Sequence, residues 1–387
     1  MKNSVENSYA LVESMRFCDE EFPVKRMHLF CHCVMLLTAL LSQAGFAGET
    51  DATVPIETAV AIEATAAKPA RVAVFYVTNR ASDGDGTDTR EYTGDRGLPG
   101  FGHCDVEFTP IPIVSEVASD LPFYLKRETN VVTTVELPDR EQFWKQLGTA
   151  VKGTSSGSVV LFIHGYNYGF ERTCRMAAEL QRTLHGKATV VAFSWPSNGL
   201  PSDYVSDLAD VEWSVPLLSG FIRQLAERFG GANLQVVAHS LGSRGAIFAL
   251  RNLAAEQIKP PVIEELVLLA PDFDSQTFVD LLPGIRGMTG HMTLYASAND
   301  TPLKLSEQLS GYPRLGQGEE HLTVIEGVET IDISSAGRYQ ITGHEYFFFH
   351  PQIADDLAML LSGGVRAFGR SGLVSKTRDG LTFWVIQ

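Results

Sequence analysis

Leu234-Gln235-Val236-Val237 runs directly into Ala238-His239-Ser240-Leu241-Gly242, and a helical pattern follows from Ser243. An apolar run, a serine between two small residues and then a helix is the strand, sharp turn and helix that present a nucleophilic hydroxyl. Small residues suit Ala238 and Gly242, because such a turn presses their backbones against neighbouring elements. The helix N-terminus beneath Ser240 favours developing negative charge. A serine hydroxyl is a poor nucleophile at neutral pH, so the site also needs an imidazole to take the proton and an acid to orient that imidazole.

Where this turn occurs, the partners follow in chain order serine, acid, histidine. Asp300 lies in Ser297-Ala298-Asn299-Asp300-Thr301-Pro302, beyond a strand ending at Ala296, with Pro302 suited to the first turn of a helix. It is the preferred acid. Asp274, in Ala270-Pro271-Asp272-Phe273-Asp274 after the preceding strand, is its competitor, and for either residue the bland role is a helix cap. The preferred base is His344, in Gly343-His344-Glu345-Tyr346-Phe347 beyond the last strand, with His350 as runner-up. Val159 to Ile163 reads as a buried strand leading into His164-Gly165-Tyr166-Asn167, where the second oxyanion donor belongs. The donors are assigned to the backbone N–H groups of Leu241 and Tyr166. His164 reads as a structural hydrogen bonder, and His185, His291 and His321 as surface or loop residues.

These positions need a scaffold. From Ser158 onward, short apolar runs alternate with longer amphipathic segments, the pattern of a mostly parallel central sheet with helices on both faces. Strands are predicted over 159–163, 189–193, 234–238, 266–269, 292–296 and 330–333. Helices are predicted over 170–184, 214–229, 243–255 and 275–282, with shorter ones after Thr301 and Pro351. Upstream, Val72 to Val77 reads as a buried strand, and Cys104 to Phe108 and Val131 to Leu137 as half-exposed ones. The glycine-dense 94–102 segment lacks a G-x-G-x-x-G order and opens no helix, so it reads as a loop. The expected organisation is a targeting segment (1–47), a flexible linker (48–70), one catalytic domain (71–364) and an unassigned tail (365–387).

Five segments together carry a resemblance: Phe162-Ile163-His164-Gly165-Tyr166-Asn167, Phe193-Ser194-Trp195-Pro196-Ser197, Ala238-His239-Ser240-Leu241-Gly242, Leu269-Ala270-Pro271-Asp272 and Gly343-His344-Glu345-Tyr346-Phe347. They resemble an uncharacterised bacterial α/β-hydrolase family, distantly similar to lipases and esterases, over roughly Arg71 to Leu361. The resemblance implies the α/β-hydrolase fold, Ser240 as nucleophile and His344 as base; Asp300 matches less distinctively. It leaves the substrate open. The expected activity is hydrolysis of a small-molecule carboxylic ester without a cofactor. Acyl transfer or amide cleavage by the same groups, and an inactive hydrolase-like binding protein, are the alternatives.

Composition narrows the remaining choices. The 387 residues are 44% hydrophobic and 20% charged, ordinary values for a folded protein. A net charge of -15 without clustered Lys and Arg argues against a nucleic-acid partner. Lys25 and Arg26 precede 27–47, which lacks Asp, Glu, Lys and Arg, has an apolar centre, and ends in Gly45 and Ala47. That order predicts export with cleavage after Ala47, giving a periplasmic product; the alternative is an uncleaved N-terminal membrane anchor. Cleavage would leave only Cys104 and Cys174, expected as buried free thiols, although a disulfide is permitted. There is no paired C-x-x-C or H-E-x-x-H, so no metal site is predicted. A loop over 198–211 is expected to overhang the site without a contiguous apolar face, which favours short or medium soluble esters.

Overall fold

The computed structural model describes residues 70–82, 92–110, 128–200, 202–337 and 344–387. The expected targeting segment and nearly all of the expected linker lie outside the described residues. The strands are β1 (Ala70–Ser82), β2 (Tyr92–Pro110), β3 (Glu128–Glu136), β4 (Ser158–Ile163), β5 (Ala188–Ser194), β6 (Leu234–His239), β7 (Ile263–Leu269), β8 (Thr289–Ala296), β9 (Glu329–Asp332), β10 (Leu373–Arg378) and β11 (Leu381–Ile386). Among the described residues the helices of eight residues or more are α1 (Arg140–Gly153), α2 (Phe170–Thr183), α3 (Tyr204–Phe229), α4 (Gly242–Ala255), α5 (Ser275–Ile285), α6 (Thr301–Ser310) and, beyond the four-residue α7 (Tyr346–Phe349), α8 (Pro351–Gly363).

The strands form one sheet in the order β10-β11-β9-β8-β7-β6-β4-β5-β1-β2-β3. From β1 across to β11 neighbouring strands run parallel, while β2–β3 at one edge and β10 at the other pair antiparallel. The parallel strands are apolar on both faces, which requires a layer of helices on each side. In β4, Val159, Leu161 and Ile163 enter the core shared with Phe143 of α1, Leu218 and Phe221 of α3, Ile247 and Leu250 of α4, and Phe278 of α5. Val160 and Phe162, pointing the other way, meet Ala177 of α2 and Leu357 of α8.

The chain leaves β4 for β5 on one side and later returns to β6 on the other, so β4 and β6 are neighbours whose following connections diverge. In open parallel sheets this reversal opens a crevice beyond the carboxyl ends of the strands. Ser240 follows β6, and His164 to Asn167 follow β4, so both segments are delivered to that crevice.

Three sequence expectations need correction, and two segments the sequence left unassigned are regular structure. The 94–102 segment is strand, not loop: its glycines meet close neighbours, and a Cβ on Gly102 would fall 2.1 Å from the Val135 carbonyl oxygen. Helix α3 begins at Tyr204, so most of the expected 198–211 loop is helical. Its first turns bury Asp207 and Asp210 where an apolar stripe would be expected, and Pro216 inside the helix imitates a start near Ser214. Helix α1, capped by Asp139 accepting from the Glu141 amide, was not anticipated. The tail is part of the sheet: Arg366 pairs with Glu265 (2.6 Å) and Glu329 (2.8 Å), Arg370 pairs with Asp356 (2.8 Å), and β11 continues the sheet beside β9.

The third correction concerns the thiols. Cys104 of β2 and Cys174 of α2 are joined in a disulfide, not left as free thiols; register across 70 residues brings their Cα atoms to 6.1 Å. Proteolysis without reduction, followed by mass spectrometry, is expected to yield a linked pair of peptides carrying Cys104 and Cys174 that separates on reduction. Recovery of both peptides unlinked from unreduced native protein would contradict the bridge.

Candidate active site

Ser240 occupies the left-handed region, with φ of 51°, which is costly for a residue with a side chain. Its surroundings hold it there. The Ser240 amide donates to the Leu269 carbonyl (2.9 Å), while its own carbonyl accepts from the amides of Ser243 (3.0 Å) and Asp272 (3.1 Å). The turn packs against the exit of β4, and the packing demands glycine twice. A Cβ on Gly242 would lie 2.3 Å from the His164 carbonyl oxygen, and one on Gly165 would lie 2.7 Å from Ser240 Cβ. No hydrogen bond within the described residues uses the amide of Leu241 or of Tyr166, the two expected oxyanion donors.

Asp300 and His344 meet. His344 Nδ1 donates to Asp300 Oδ2 at 2.7 Å, and the carboxylate is fully buried. The other oxygen, Oδ1, accepts from the Leu303 amide at 3.0 Å, so Asp300 also caps α6. Asp274, the competitor, is engaged as the cap of α5 through the Thr277 amide at 2.7 Å. The His344 ring centroid lies 4.7 Å from that of His239, the residue immediately before Ser240. His350 is the buried residue that opens α8.

Burial works against the charged form of His344, but the charge and hydrogen bond of Asp300 outweigh it, with Glu345 and Asp272 adding to them. The pKa of His344 is therefore raised above its ordinary value. Burial pushes the Asp300 carboxyl up, opposed by His344 and by the Leu303 amide.

A family model for α/β-hydrolases of unknown function (DUF900) matches residues 139–362, more than half of the chain. The chain belongs to this family. An uncharacterised protein of Nostoc sp. is 26% identical over 132 residues, a match covering 28% of this chain and 34% of that protein. The chain thus spans about a third of the length of the curated relative it matches. Similar solved structures include a hyperthermophilic esterase from the archaeon Pyrobaculum calidifontis, at 12% identity and a TM-score of 0.32, covering 58% of this chain and 92% of that one. A putative esterase from Staphylococcus aureus is 13% identical with a TM-score of 0.33, covering 54% and 76%. The carboxylesterase EstE1, cloned from a metagenomic library, is 12% identical with a TM-score of 0.33, covering 67% and 89%.

Three further residues, to which the sequence assigned no role, shape the site of this DUF900 hydrolase. Arg80, near the end of β1, is 1% exposed, yet its guanidinium donates to the carbonyls of Thr93 (3.1 Å), Tyr168 (2.7 Å) and Ser197 (2.7 Å) and to Ser194 Oγ (2.8 Å). Burial brings its pKa down to about 9, partly offset by Asp207 and Asp210, so it stays charged at neutral pH. Asp207 accepts from Ser197 Oγ (2.6 Å) and from the amides of Asn167 and Asn198 (3.3 Å each). The loops after β4 and β5 are therefore held by one buried cation and one buried acid. Asp272, whose amide braces Ser240, accepts from Arg314 Nε (2.8 Å), Ser306 Oγ (2.7 Å) and the Tyr204 hydroxyl (2.8 Å).

His164 is a structural group. Its ring stacks between Tyr168 and Trp195, with centroids at 5.6 and 4.7 Å, and burial followed by the Arg80 charge keeps it neutral. Nδ1 then donates to the Gly165 carbonyl at 2.8 Å. Arg80→Met would leave several buried acceptors without a donor, each costing about 1–3 kcal/mol. The expected outcome is a stability loss of about 3 kcal/mol or more, read as a lower urea midpoint at unchanged slope. A midpoint equal to that of the unaltered protein would show the guanidinium to be dispensable.

Proposed function

We propose that this protein is a serine hydrolase that cleaves carboxylic esters through an acyl-enzyme on Ser240. The observation that carries this reading is the 2.7 Å contact of His344 with the buried Asp300, made beside the residue that precedes Ser240. Ser240 Oγ adds to the acyl carbon while His344 Nε2 takes its proton, and Asp300 stabilises the imidazolium. The oxyanion accepts from the amides of Leu241 and Tyr166. His344 then protonates the departing alcohol as the ester bond breaks. Water attacks the acyl-enzyme by the same proton path, releasing the acid and restoring the Ser240 hydroxyl. The reaction needs no cofactor.

The test is hydrolysis of p-nitrophenyl esters of graded chain length, run beside Ser240→Ala. Short and medium esters are expected to turn over, and Ser240→Ala to abolish both turnover and fluorophosphonate labelling. Labelling that survives in Ser240→Ala would sink the assignment. Asp300→Asn is expected to lower kcat by on the order of 10⁴-fold, the scale seen when such an imidazole loses its orienting carboxylate. Asp274→Asn keeps the cap of α5, because an asparagine oxygen accepts the Thr277 amide about as well, and is expected to leave the rate unchanged. Equal losses in rate at the two positions would reverse the choice of acid. The base must be neutral, so kcat/KM is expected to fall as pH drops through the raised pKa of His344. The acid limb should be centred above 6.5, the ordinary histidine value, and should move to lower pH in Asp300→Asn.

We also propose that the protein is exported, either cleaved behind Ala47 or held by 27–47 as an anchor. The disulfide supports an oxidising compartment. Protein from its native host is expected to begin at Gly48. An intact 27–47 segment in a soluble cytoplasmic product would overturn export.

A further inference from the structure

Glu345 follows His344 directly, and its carboxylate is spent on neither Asp300 nor Ser240. Oε1 accepts from Arg172 Nη2 at 2.6 Å and from the Tyr168 hydroxyl. Only 12% of the Glu345 side chain and 37% of the Arg172 side chain are exposed. The pair is thus shielded well beyond the surface ion pairs that contribute little. Arg172 reaches on from there: Nη1 donates to the Asn167 carbonyl at 3.2 Å, and the guanidinium lies 4.3 Å over the Tyr168 ring. Asn167 and Tyr168 belong to the loop that carries Tyr166, and Asn167 itself sits at φ of 61° with its amide on Asp207. One ion pair therefore joins the segment bearing the proposed base to the loop bearing a proposed oxyanion donor.

The His344 ring meets Asp300 at Nδ1 and packs against His239, contacts that orient the imidazole. The backbone that carries it lies between β9 and α8, and its neighbours in sequence are held as well. Burial of Tyr346 and Phe347 anchors the chain after Glu345, and the Glu345 carboxylate anchors it beside the base. A misplacement of 1 Å in such a constellation can cost about 100-fold in rate.

We propose that Glu345 is a positioning residue: through Arg172 and Tyr168 it registers His344 against the loop carrying Tyr166, so that base and oxyanion donor are set by a single ion pair. This rests on the serine-hydrolase reading of the same site. The charged and titratable groups around His344 are Asp300 beyond β8, Asp272 beyond β7, His239 on β6, Arg172 on α2 and Glu345 itself. Burial keeps His239 neutral, leaving the carboxylates of Asp300, Glu345 and Asp272 as the charges that raise His344, with Arg172 paired to Glu345.

The experiment compares Glu345→Gln, Arg172→Met, their combination and the milder Tyr168→Phe in the full chain, with circular dichroism to check folding. Each of the first two variants is expected to lower kcat by about 10- to 100-fold while KM stays within about twofold. The combination should be no slower than the slower single variant, because both break one tie. Tyr168→Phe, which removes one hydroxyl, should lose a few-fold. A second readout separates positioning from general damage: the acid limb of kcat/KM should move to lower pH in Glu345→Gln, which removes a negative charge, and to higher pH in Arg172→Met, which removes a positive one. Titration of His344 by NMR in histidine-labelled protein, assigned with His344→Gln, reads the same opposed shifts whether or not esters are turned over. Rates within twofold of the unaltered protein in both single variants, or losses that multiply in the combination, would overturn the proposal. Failure of the unaltered protein to take a fluorophosphonate at Ser240 would instead overturn the hydrolase reading, while the NMR shifts would still decide the tie.

Discussion

The contact on which the site depends is the near-touch of two backbones, where the exit of β4 meets the turn after β6. Gly242 approaches the His164 carbonyl, and Gly165 approaches Ser240, at separations that admit no Cβ. That approach sets Ser240 beside the loop of Tyr166, and it is possible only because β4 and β6 are neighbours in the sheet. A left-handed serine costs about 1–3 kcal/mol. The surrounding backbone bonds offset this: Ser240 is tied through its amide to β7, and through its carbonyl to Ser243 of α4 and to Asp272 beyond β7.

Around that contact the protein buries charge. Arg80 and Asp207 lie among groups that satisfy them, and Asp272 with Arg314 does the same on the far side of Ser240. A partly satisfied network in low dielectric would be worse than an apolar filling, so each polar group must find its partner in a defined geometry. The benefit is rigidity in segments that are not regular structure. The loops after β4, β5 and β7 are each held by side chains from elements remote in sequence, Arg80 from β1, Asp207 from α3 and Arg314 from beyond α6. Asp300 works in the same economical way, with one oxygen capping a helix and the other orienting the imidazole.

The apolar runs recorded the parallel strands in local sequence because each is buried on both faces, and that signal needs no knowledge of partners. The six strands expected from Ser158 onward are all present, and the turn at Ser240 was legible because strand, small residues and helix occur within a dozen positions. Helix α3 was misread at its start for the opposite reason. Asp207 and Asp210 look solvent-facing by type, yet they are buried against Ser197 and Arg96, which lie outside the helix. The glycines of β2 look like turn residues until the neighbouring strand and the Tyr76 side chain are seen to leave no room for anything larger.

What the sequence by itself determined is therefore the parallel strands from Ser158 to β9, most of the helices between them and the chemical types held at their ends: a serine in a tight turn, aspartates before helices, a histidine in the segment after β9. Asp274 and Asp300 carry the same local signature, an acid opening a helix after a strand, and both do cap their helices. Only tertiary packing put one of them against His344, across 44 positions. The same holds for Arg80, whose acceptors lie up to 117 residues away, for Cys104 with Cys174, and for Glu345 with Arg172. Local sequence records which faces are buried, because burial is a property of each residue. It does not record which buried polar group meets which, because that is decided by strand order and register once the sheet has closed.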